Sequence, residues 1–591
     1  MHPLYHDVIK RRLDVPLDEG PDRVTGLEDA VRAHVEPGAT VYLGTAHGRP
    51  NALIRELTRQ WWGRTPDFTL AAVGLGSPWT ALIHGGLVRR VITTFMGEGY
   101  PFPTPQALIA RAVIEGRLDV SSWSMLTFPL RLLAGAMGVP FLPTRSLLGS
   151  SMEEDNARSG DFIAADDPFG GPDRVGYVRA LVPDVALIHG WVADRAGNVI
   201  IAPPMNENLY GAMAARGGAV VSVERVVSTE FIRRHANLVR LPAQYVRAVV
   251  ETPHGAHPGG MYGMNVPELE AYAEDLEWIL ECREAFRTAA GADRWIREWI
   301  LDVPTQEAYL AKVGYARLME SKGRADRDAW VSELESLSSR LPTSDQASGS
   351  EAMVVAAARV IGEKVREHGY KTCLAGVGNS NLAAWLAACE LKRDGAEFEL
   401  MAEAGMVGYH PRPAEPFVFS FRSFPTCKML TDIVHVMGIF MGGRHNRCLG
   451  SLAAGQIDKH GNINSTIIPG LTYITGSGGA NDITSSAQEV VVCLQQSAKR
   501  FVDKVPYITA PGRRVRTAVS DLGVYEKDDE HGELRLTRIF GDRPEADAVS
   551  AARAACGWDL RVAPALRRLA PATTDELALI RLFDPRRYFL G

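Results

Sequence analysis

Long apolar runs, paired cysteines and an excess of positive charge are all missing from this sequence. No run approaches the roughly 20 apolar residues that a membrane-spanning helix needs, and the charged segment 1–20 lacks the apolar core of a secretory signal. The seven cysteines are scattered without CxxC pairs, which predicts reduced thiols. A formal net charge of -6 gives no basic field for nucleic acid. We therefore expect a cytoplasmic protein with neither a membrane nor a nucleic-acid partner.

The short motifs of several common enzyme classes are missing too. The sequence has no GxxxxGK[ST] phosphate loop, no GxSxG nucleophile elbow, no HExxH zinc helix and no GxGxxG dinucleotide loop. His254 and His257 lie close together in the chain, but no third ligand accompanies them, and glycine and proline surround them. We interpret this pair as part of a loop and predict no metal site.

The hydrophobic pattern predicts an α/β fold. From Thr40 onwards, apolar strand-like runs end in glycine-rich loops and are followed by amphipathic helical spacing, as in residues 40–62. Glycine-rich strand ends are typical of parallel α/β sheets, where loops at the strand tips approach a ligand closely. A chain of 591 residues is longer than one hydrophobic core usually supports, so we expect at least two domains.

The two halves of the chain carry matching landmarks. Asp194 and Asp458 each begin a D-x-x-G-N turn after an apolar lead-in, and we expect both aspartates to form turns rather than to act chemically. Because the landmarks follow the same order in both halves, they predict two similar open α/β domains with mainly parallel sheets. We expect one domain at residues 1–320, a polar linker at 321–351 and a second domain at 352–591.

Two acids stand in glycine-rich loops after strand-like runs. Glu403 is flanked by Ala402, Ala404 and Gly405, which leave room for a substrate to approach its carboxylate. Glu98 lies between Gly97 and Gly99. From composition alone, a solvated loop acid or a helix N-cap explains Glu403, and a solvated loop acid explains Glu98.

Motifs around Glu403 resemble those of a known enzyme family. The segments GVGNSN (376–381), EAGMVGYHP (403–411), AAGQIDKHGNINST (453–466) and TGSGGANDITSSA (475–487) resemble the β half of family I CoA-transferases, most closely of the glutaconate type. The first half resembles the α partner through GTAHGRPNALIREL, GVPFLPTRSLLGS, ADRAGN and VVETPHGAHPGG. The chain is therefore similar to a fusion of both halves.

This resemblance implies an active site at the interface of the two domains, with Glu403 as its catalytic nucleophile. Coenzyme A would move from an acyl-CoA to a small carboxylic acid by a ping-pong mechanism, through an acyl-glutamyl anhydride and a glutamyl-CoA thioester. Coenzyme A would be a substrate, and no further cofactor is implied. Relatives also assemble further, so we expect a homodimer or a larger homo-oligomer.

The resemblance also assigns supporting roles. The implied backbone donors for oxyanions are Val377, Gly378, Gly478, Gly479 and Ala480. Asn379, Gly405 and Gly408 are the implied neighbours of coenzyme A or of the acyl group. Because burial would raise the pKa of Glu403, we also expect backbone amides to donate to its carboxylate.

Several readings remain open at this point. The loop LGTAHGRPN departs from the G-G-F-x-x-x-G-x-P pattern of the α half, and Ala404 replaces the Ser or Asn that follows the glutamate in the family. An acyl-CoA hydrolase on the same scaffold is the alternative, either a thioesterase or a C–C bond hydrolase. Some relatives of the latter kind use an acid of the α half, which makes Glu98 a candidate second acid. A non-catalytic acyl-CoA-binding protein is the third reading.

Three arginines are candidate partners for a second carboxylate on the substrate. They are Arg49, Arg412 and Arg444, and a surface position explains each of them equally well.

Overall fold

The computed structural model describes residues 1–16, 19–45, 48–529, 532–541 and 543–591. The first half of the chain contains twelve strands: β1 (Thr40–Leu43), β2 (Phe68–Leu75), β3 (Val88–Met96), β4 (Asp119–Ser122), β5 (Phe141–Thr144), β6 (Phe162–Asp166), β7 (Arg174–Arg179), β8 (Val185–Asp194), β9 (Val199–Ile200), β10 (Ala219–Val227), β11 (Val239–Leu241) and β12 (Val246–Glu251).

The second half contributes the remaining strands. They are β13 (Thr372–Ala375), β14 (Glu399–Ala402), β15 (Met406–Tyr409), β16 (Met429–Leu430), β17 (Cys448–Leu452), β18 (Gln456–Asp458), β19 (Ile463–Asn464), β20 (Ile467–Ile468), β21 (Thr472–Tyr473), β22 (Glu489–Cys493), β23 (Phe501–Val502), β24 (Val515–Val519), β25 (Val524–Glu526), β26 (Arg535–Phe540) and β27 (Val562–Leu569).

Helices cover both sheets and connect the strands. They are α1 (Pro3–Val8), α2 (Leu27–His34), α3 (Asn51–Trp61), α4 (Ser77–His84), α5 (Ala107–Ile114), α6 (Thr127–Met137), α7 (Ser151–Arg158), α8 (Asn208–Ala214), α9 (Thr229–Arg234), α10 (Leu276–Ala285), α11 (Ala289–Ile296), α12 (Gln306–Val313), α13 (Tyr315–Arg324), α14 (Ala329–Leu337), α15 (Gly349–His368), α16 (Asn379–Arg393), α17 (Ala480–Ser486), α18 (Glu545–Ala554) and α19 (Thr574–Phe583). Among the described residues, none of these helices is long and apolar enough to cross a bilayer.

Each half is built on its own mainly parallel sheet. In the first, strands β12, β10, β8, β1, β2, β3 and β4 follow one another and every neighbouring pair is parallel. In the second, β14, β13, β17, β22 and β24 form the parallel centre. Antiparallel pairing adds β15 and β16 at one edge and β25 and β26 at the other, where β27 then pairs parallel with β26. Strand β8 is buried along its whole length, as expected for a strand covered on both faces. The predicted α/β fold with two similar domains is confirmed.

The two D-x-x-G-N turns have the predicted structural role. The Asp194 carboxylate accepts hydrogen bonds from the amides of Gly197 and Asn198, both at 2.9 Å. The Asp458 carboxylate accepts from the Asn462 amide in the same manner at 3.0 Å. These bonds close the turns locally, so the two aspartates are turn formers.

One hydrophobic core joins the halves. Buried side chains from the first half, among them Trp123 and Leu126, belong to the same core as Met437 and Ile483 from the second. The segment 321–351 carries α14, and Glu333 on this helix pairs with Arg586 at 2.8 Å. The boundaries at 320 and 351 stay a prediction.

A buried ion pair fixes the start of α15. Ser348 and Glu351 form a capping box, and the Glu351 carboxylate also accepts from Arg581 Nε at 2.8 Å and Nη2 at 3.1 Å. The partners Arg581, Ser348 and Arg587 lower the pKa of Glu351 to about 2 despite its desolvation. Its stabilising contribution is therefore complete above the ordinary pKa near 4.5 and is lost as the pH falls towards 2.

We predict that Arg581→Met destabilises the protein by roughly 3 kcal/mol at pH 7, because the Glu351 carboxylate is left buried without its bidentate partner. The midpoint of urea unfolding measures this change, and the loss should shrink at pH 3. Arg581→Met combined with Glu351→Gln should recover part of the stability. The exposed Arg553→Met on α18 is the control, and an equal loss in that variant would contradict the assignment.

Candidate active site

A cavity of about 840 Å³ lies between the two halves, at the carboxyl ends of strands from both sheets. Thr45, Ser77 and Glu98 line it from the first half, and Gly378 and Glu403 line it from the second. Ligands of open α/β sheets bind at this end of the strands. The two acids singled out in the sequence therefore share one cavity.

Glu403 lies in the tight connection between β14 and β15. Gly405 has a φ of +115°, and a Cβ atom there would lie 2.2 Å from the Thr431 carbonyl oxygen. The carbonyl oxygen of the same glycine accepts a hydrogen bond from the Thr431 amide at 2.7 Å. Glycine is thus required at position 405 by the close approach of the neighbouring chain, and this turn directs Glu403 into the cavity.

The Glu403 side chain is partly buried in the wall of the cavity. Burial raises its pKa to about 7, and the negative charge of Asp482 adds to that shift. The Gly479 amide donates to the carboxylate and opposes both effects. A Cβ atom on Gly479 would lie 2.2 Å from Glu403 Oε2, so this position has no room for a side chain. The expected amide donor to Glu403 is present, but it does not restore an ordinary pKa.

Asp482 is a charged neighbour of Glu403 that the sequence analysis did not single out. It is completely buried at the start of α17, and it accepts hydrogen bonds from Ser124 Oγ at 2.6 Å and from the Leu126 amide at 2.9 Å. Burial raises its pKa to about 6. The signal was present in the GGAND motif, but a sequence does not show that an aspartate from one loop faces a glutamate from another.

The backbone amides predicted to stabilise oxyanions differ in whether they already donate to a protein oxygen. The Gly478 amide donates to the Thr94 carbonyl oxygen at 2.9 Å, and the Ala480 amide donates to the Ser477 carbonyl oxygen at 3.0 Å. These two amides are therefore occupied in this structure. Within the described parts of the chain, the amides of Val377 and Gly378 donate to no protein oxygen. The Gly479 amide donates to the Glu403 carboxylate. The oxyanion role of all five amides stays a prediction.

Two of the predicted coenzyme A neighbours lie away from the cavity wall. Gly405 forms the turn described above, and Gly408, with a φ of +66°, lies within β15 beside the Lys428 side chain. The lining residues include Asn379 but neither of these glycines. Asn379 begins α16, and its Oδ1 atom is buried without a hydrogen-bond partner among the described residues. Gly405 and Gly408 therefore shape the Glu403 hairpin outside the lining of this cavity. Their contact with coenzyme A or the acyl group stays a prediction.

Glu98 occupies the first-half wall of the cavity. It is 7% exposed, Ser77 Oγ donates to its carboxylate, and its backbone pairs with Thr104 in both directions. Burial raises its pKa, while the Ser77 hydroxyl and the charge of Arg283 oppose this change. Glu98 is thus a fixed, buried acid rather than a solvated loop acid.

The three candidate arginines lie in different surroundings. Arg49 lines the cavity 4.6 Å from the Trp79 ring centroid, and burial lowers its pKa to about 10. Arg412 lies beside Trp330, outside the lining, and Arg444 is exposed. Ala46 and His47, in the loop that departs from the α-type pattern, lie outside the described residues.

The histidine pair belongs to a hydrogen-bonded loop. His257 contacts the Tyr309 hydroxyl at 2.8 Å through Nδ1 and Asp275 at 3.1 Å through Nε2. The His254 amide donates to Glu224 at 2.7 Å. Among the described residues, no three His, Cys, Asp or Glu side chains are grouped as metal ligands.

Comparison with known proteins decides the family. A family model described as Coenzyme A transferase matches residues 24–252 and 441–538. The chain belongs to this family. The segment containing Glu403 lies between the two matched ranges, so the family match does not assign that residue.

Relatives of this CoA-transferase include enzymes built from separate polypeptides that each match part of the chain. Glutaconate CoA-transferase from Acidaminococcus fermentans has two such polypeptides. One is 28% identical over 51% of this chain and 94% of its own length, and the other is 26% identical over 32% of this chain and 79% of its own length. The IpdA component of a cholesterol ring-cleaving hydrolase from Mycobacterium tuberculosis is 28% identical over 47% of this chain and 94% of its own length.

A solved structure extends the similarity to nearly the whole chain. The acyl-CoA transferase YdiF from Escherichia coli O157:H7, determined as a thioester complex with CoA, superposes with a TM-score of 0.62. The match covers 96% of this CoA-transferase and 98% of YdiF at 16% sequence identity. At that identity the comparison establishes the fold, and the two-domain architecture is therefore the same in both proteins.

We predict that Glu403→Gln stabilises the protein at alkaline pH. Because the folded-state pKa of Glu403 is near 7 and the unfolded value is near 4.5, ionisation in the folded state costs up to roughly 3 kcal/mol above pH 7 and nothing below pH 4.5. The gain in unfolding free energy should be complete at pH 8.5 and small at pH 5. Glu367→Gln, at an exposed site on α15, is the control. A gain of equal size at both pH values would contradict the assignment.

We also predict that Asp482→Asn lowers the pKa of Glu403, because it removes a buried negative charge. Repeating the Glu403→Gln comparison in an Asp482→Asn background measures this coupling as a double-mutant cycle. The stabilisation by Glu403→Gln should decrease at pH 8.5. Ser124→Ala, which loses a hydrogen bond to Asp482 without removing the charge, should leave that stabilisation in place. Equal stabilisation in all backgrounds would show that the two carboxylates do not interact.

Proposed function

We propose that the protein transfers coenzyme A from an acyl-CoA to a carboxylic acid by a ping-pong reaction on Glu403. The observation that carries this proposal is the position of a partly buried glutamate against the Gly479 amide, inside a cavity between the two halves. A carboxylate stripped of water is a stronger nucleophile than a solvated one. Family membership supports the reaction class.

The first half-reaction loads the enzyme. The Glu403 carboxylate attacks the thioester carbonyl, the carbon–sulfur bond breaks, and coenzyme A leaves as a thiolate with an acyl-glutamyl anhydride behind. The thiolate then attacks the glutamyl carbonyl of that anhydride, and the substrate acid departs as a carboxylate. A glutamyl-CoA thioester remains on Glu403, and no proton is gained or lost.

The second half-reaction reverses these steps with a different acid. The incoming carboxylate attacks the glutamyl-CoA carbonyl and expels the thiolate, which forms a new anhydride. Attack of the thiolate on the acceptor carbonyl yields the new acyl-CoA and frees Glu403. The reaction therefore needs an acyl-CoA and a carboxylic acid as its partners, and coenzyme A as its carried group.

Backbone amides supply the stabilisation of charge. Tetrahedral oxyanions form at the substrate carbonyl and at the glutamyl carbonyl, and the Val377 and Gly378 amides have no protein acceptor among the described residues. The φ of +119° at Gly378 is a conformation that other residues rarely adopt. Removing one such donor from an enzyme typically raises the barrier by roughly 3–4 kcal/mol.

Glu98 supports a second candidate, acyl-CoA hydrolysis. It lies in the same cavity, it is buried, and its raised pKa suits a general base that activates water. In that reaction water attacks the thioester carbonyl and Glu98 takes the proton. Coenzyme A would then be released without an acceptor acid, which separates the two candidates by experiment.

We predict that incubation with an acyl-CoA alone, followed by hydroxylamine and mass spectrometry, locates a modified residue at Glu403. Added acetate should become acetyl-CoA with ping-pong kinetics. Glu403→Gln should lose transfer by at least roughly 10³-fold because no nucleophile remains.

Glu98→Gln and the exposed Glu367→Gln are the controls for this experiment, and both should still be labelled at Glu403. Steady release of coenzyme A that needs no acid and that Glu98→Gln abolishes would favour the hydrolase instead. Full transfer activity in Glu403→Gln would contradict the proposal.

A further inference from the structure

An aromatic wall forms one side of the cavity between the halves. We use this name for Tyr100, Phe102, Phe417, Tyr588 and Phe589, all of which line the cavity. The first two belong to the loop that carries Glu98, and the other three belong to the second half. The wall thus exists only where the two halves meet.

Contacts between the rings hold the wall in one arrangement. Tyr100 packs edge-on against Phe417 at 5.5 Å and Tyr588 at 6.0 Å between ring centroids. Phe102 packs in the same manner against Phe589 at 6.3 Å. The Tyr100 hydroxyl donates to the buried Glu415 at 2.8 Å, and Arg283 donates to the Tyr100 carbonyl oxygen at 2.6 Å. Flat apolar surfaces are therefore preformed before any ligand binds.

Part of this wall remains exposed to the cavity. Tyr100 and Phe589 are buried at 6% and 8% exposure and form its backing, whereas Phe102, Phe417 and Tyr588 are only half-buried. Half-buried aromatic rings in a concave site are typical of surfaces that a ligand covers. An aromatic pair in an offset or edge-on arrangement gains stability beyond the area that it buries. Any rigid ring also loses less conformational freedom on binding than a flexible chain does.

The cavity is large enough to hold a ring-bearing acyl group and to admit the thioester end of coenzyme A. At about 840 Å³ it falls in the upper part of the range, roughly 300–1,000 Å³, that holds drug-sized ligands. An acetyl group is among the smallest acyl groups that coenzyme A carries. A short acyl group would therefore leave the aromatic wall in contact with water.

We infer that the acyl group handled at this site is bulky and ring-bearing, an aromatic or alicyclic carboxylic acid thioester. This inference rests on the proposed function, because it assigns the cavity to an acyl-CoA. It makes the aromatic wall the element that selects the acyl group. Glu403 and the neighbouring amides act on the thioester carbonyl, which all substrates of the reaction share.

Binding of acyl-CoA ligands to the Glu403→Gln variant tests this inference, because that variant lacks the proposed nucleophile and should not turn the ligands over. Isothermal titration would compare acetyl-CoA, cyclohexanecarbonyl-CoA, benzoyl-CoA and heptanoyl-CoA, of which the last three carry acyl groups of equal carbon number. We expect the two ring-bearing thioesters to bind at least roughly 30-fold more tightly than acetyl-CoA and several-fold more tightly than heptanoyl-CoA. Phe417→Ala in the same background should weaken ring-bearing ligands at least roughly tenfold and acetyl-CoA less than about threefold.

Tyr177→Ala is the matched control, because that ring packs against Phe141 on the separate three-stranded sheet β5–β7–β6. It should leave all affinities unchanged. Equal binding of acetyl-CoA and the ring-bearing thioesters, or tightest binding by heptanoyl-CoA, would overturn the inference. Tightest binding by glutaryl-CoA would also overturn it and would point to Arg49 as a carboxylate partner.

The binding experiment and the labelling experiment can fail independently of each other. Ring preference in binding without any label on Glu403 would retain the substrate class and reject the glutamyl mechanism. Labelling of Glu403 with no ring preference in binding would retain the glutamyl mechanism and reject the substrate class.

Discussion

Backbone hydrogen bonds between the halves are the constraint on which the rest of the site depends. The Met96 amide at the tip of β3 donates to Thr475 at 2.6 Å, the Gly478 amide donates to Thr94 at 2.9 Å, and the Met125 amide donates to Gly478 at 3.0 Å. These bonds fix the 475–480 loop on the first half. The neighbouring Gly479 amide is thereby held against Glu403, a residue that a different hairpin of the second half presents.

The contact between the two halves also explains the raised pKa of Glu403. Asp482 follows this loop and takes its hydrogen bonds from Ser124 and Leu126 of the first half, so a second carboxylate is held close to Glu403 in a desolvated region. Desolvation and like charge both disfavour ionisation, and a single amide opposes them. The folded protein therefore carries a destabilised acid at its centre, as active sites often do.

The wall of the cavity has two chemically different parts. Second-half loops contribute Glu403 and small residues, which let backbone amides approach a carbonyl group. The Glu98 loop and the chain around Phe417 contribute aromatic rings. Strand ends of both sheets open onto the same space, so loops of both halves can contribute to the aromatic part of the wall.

Sequence alone determined the fold class, the family resemblance, the turn role of Asp194 and Asp458, and the interest of Glu403 and Glu98. Hydrophobic periodicity and turn chemistry are local, so a sequence reports them directly. Only the tertiary structure decided that Glu98 and Glu403 share a cavity, that Asp482 faces Glu403, and that Gly478 and Ala480 have no amide to spare. It also placed Gly405 and Gly408 in the hairpin rather than in the cavity wall. Those facts depend on contacts between segments that lie far apart in the chain, and a local pattern carries no record of which distant carbonyl oxygen an amide will meet.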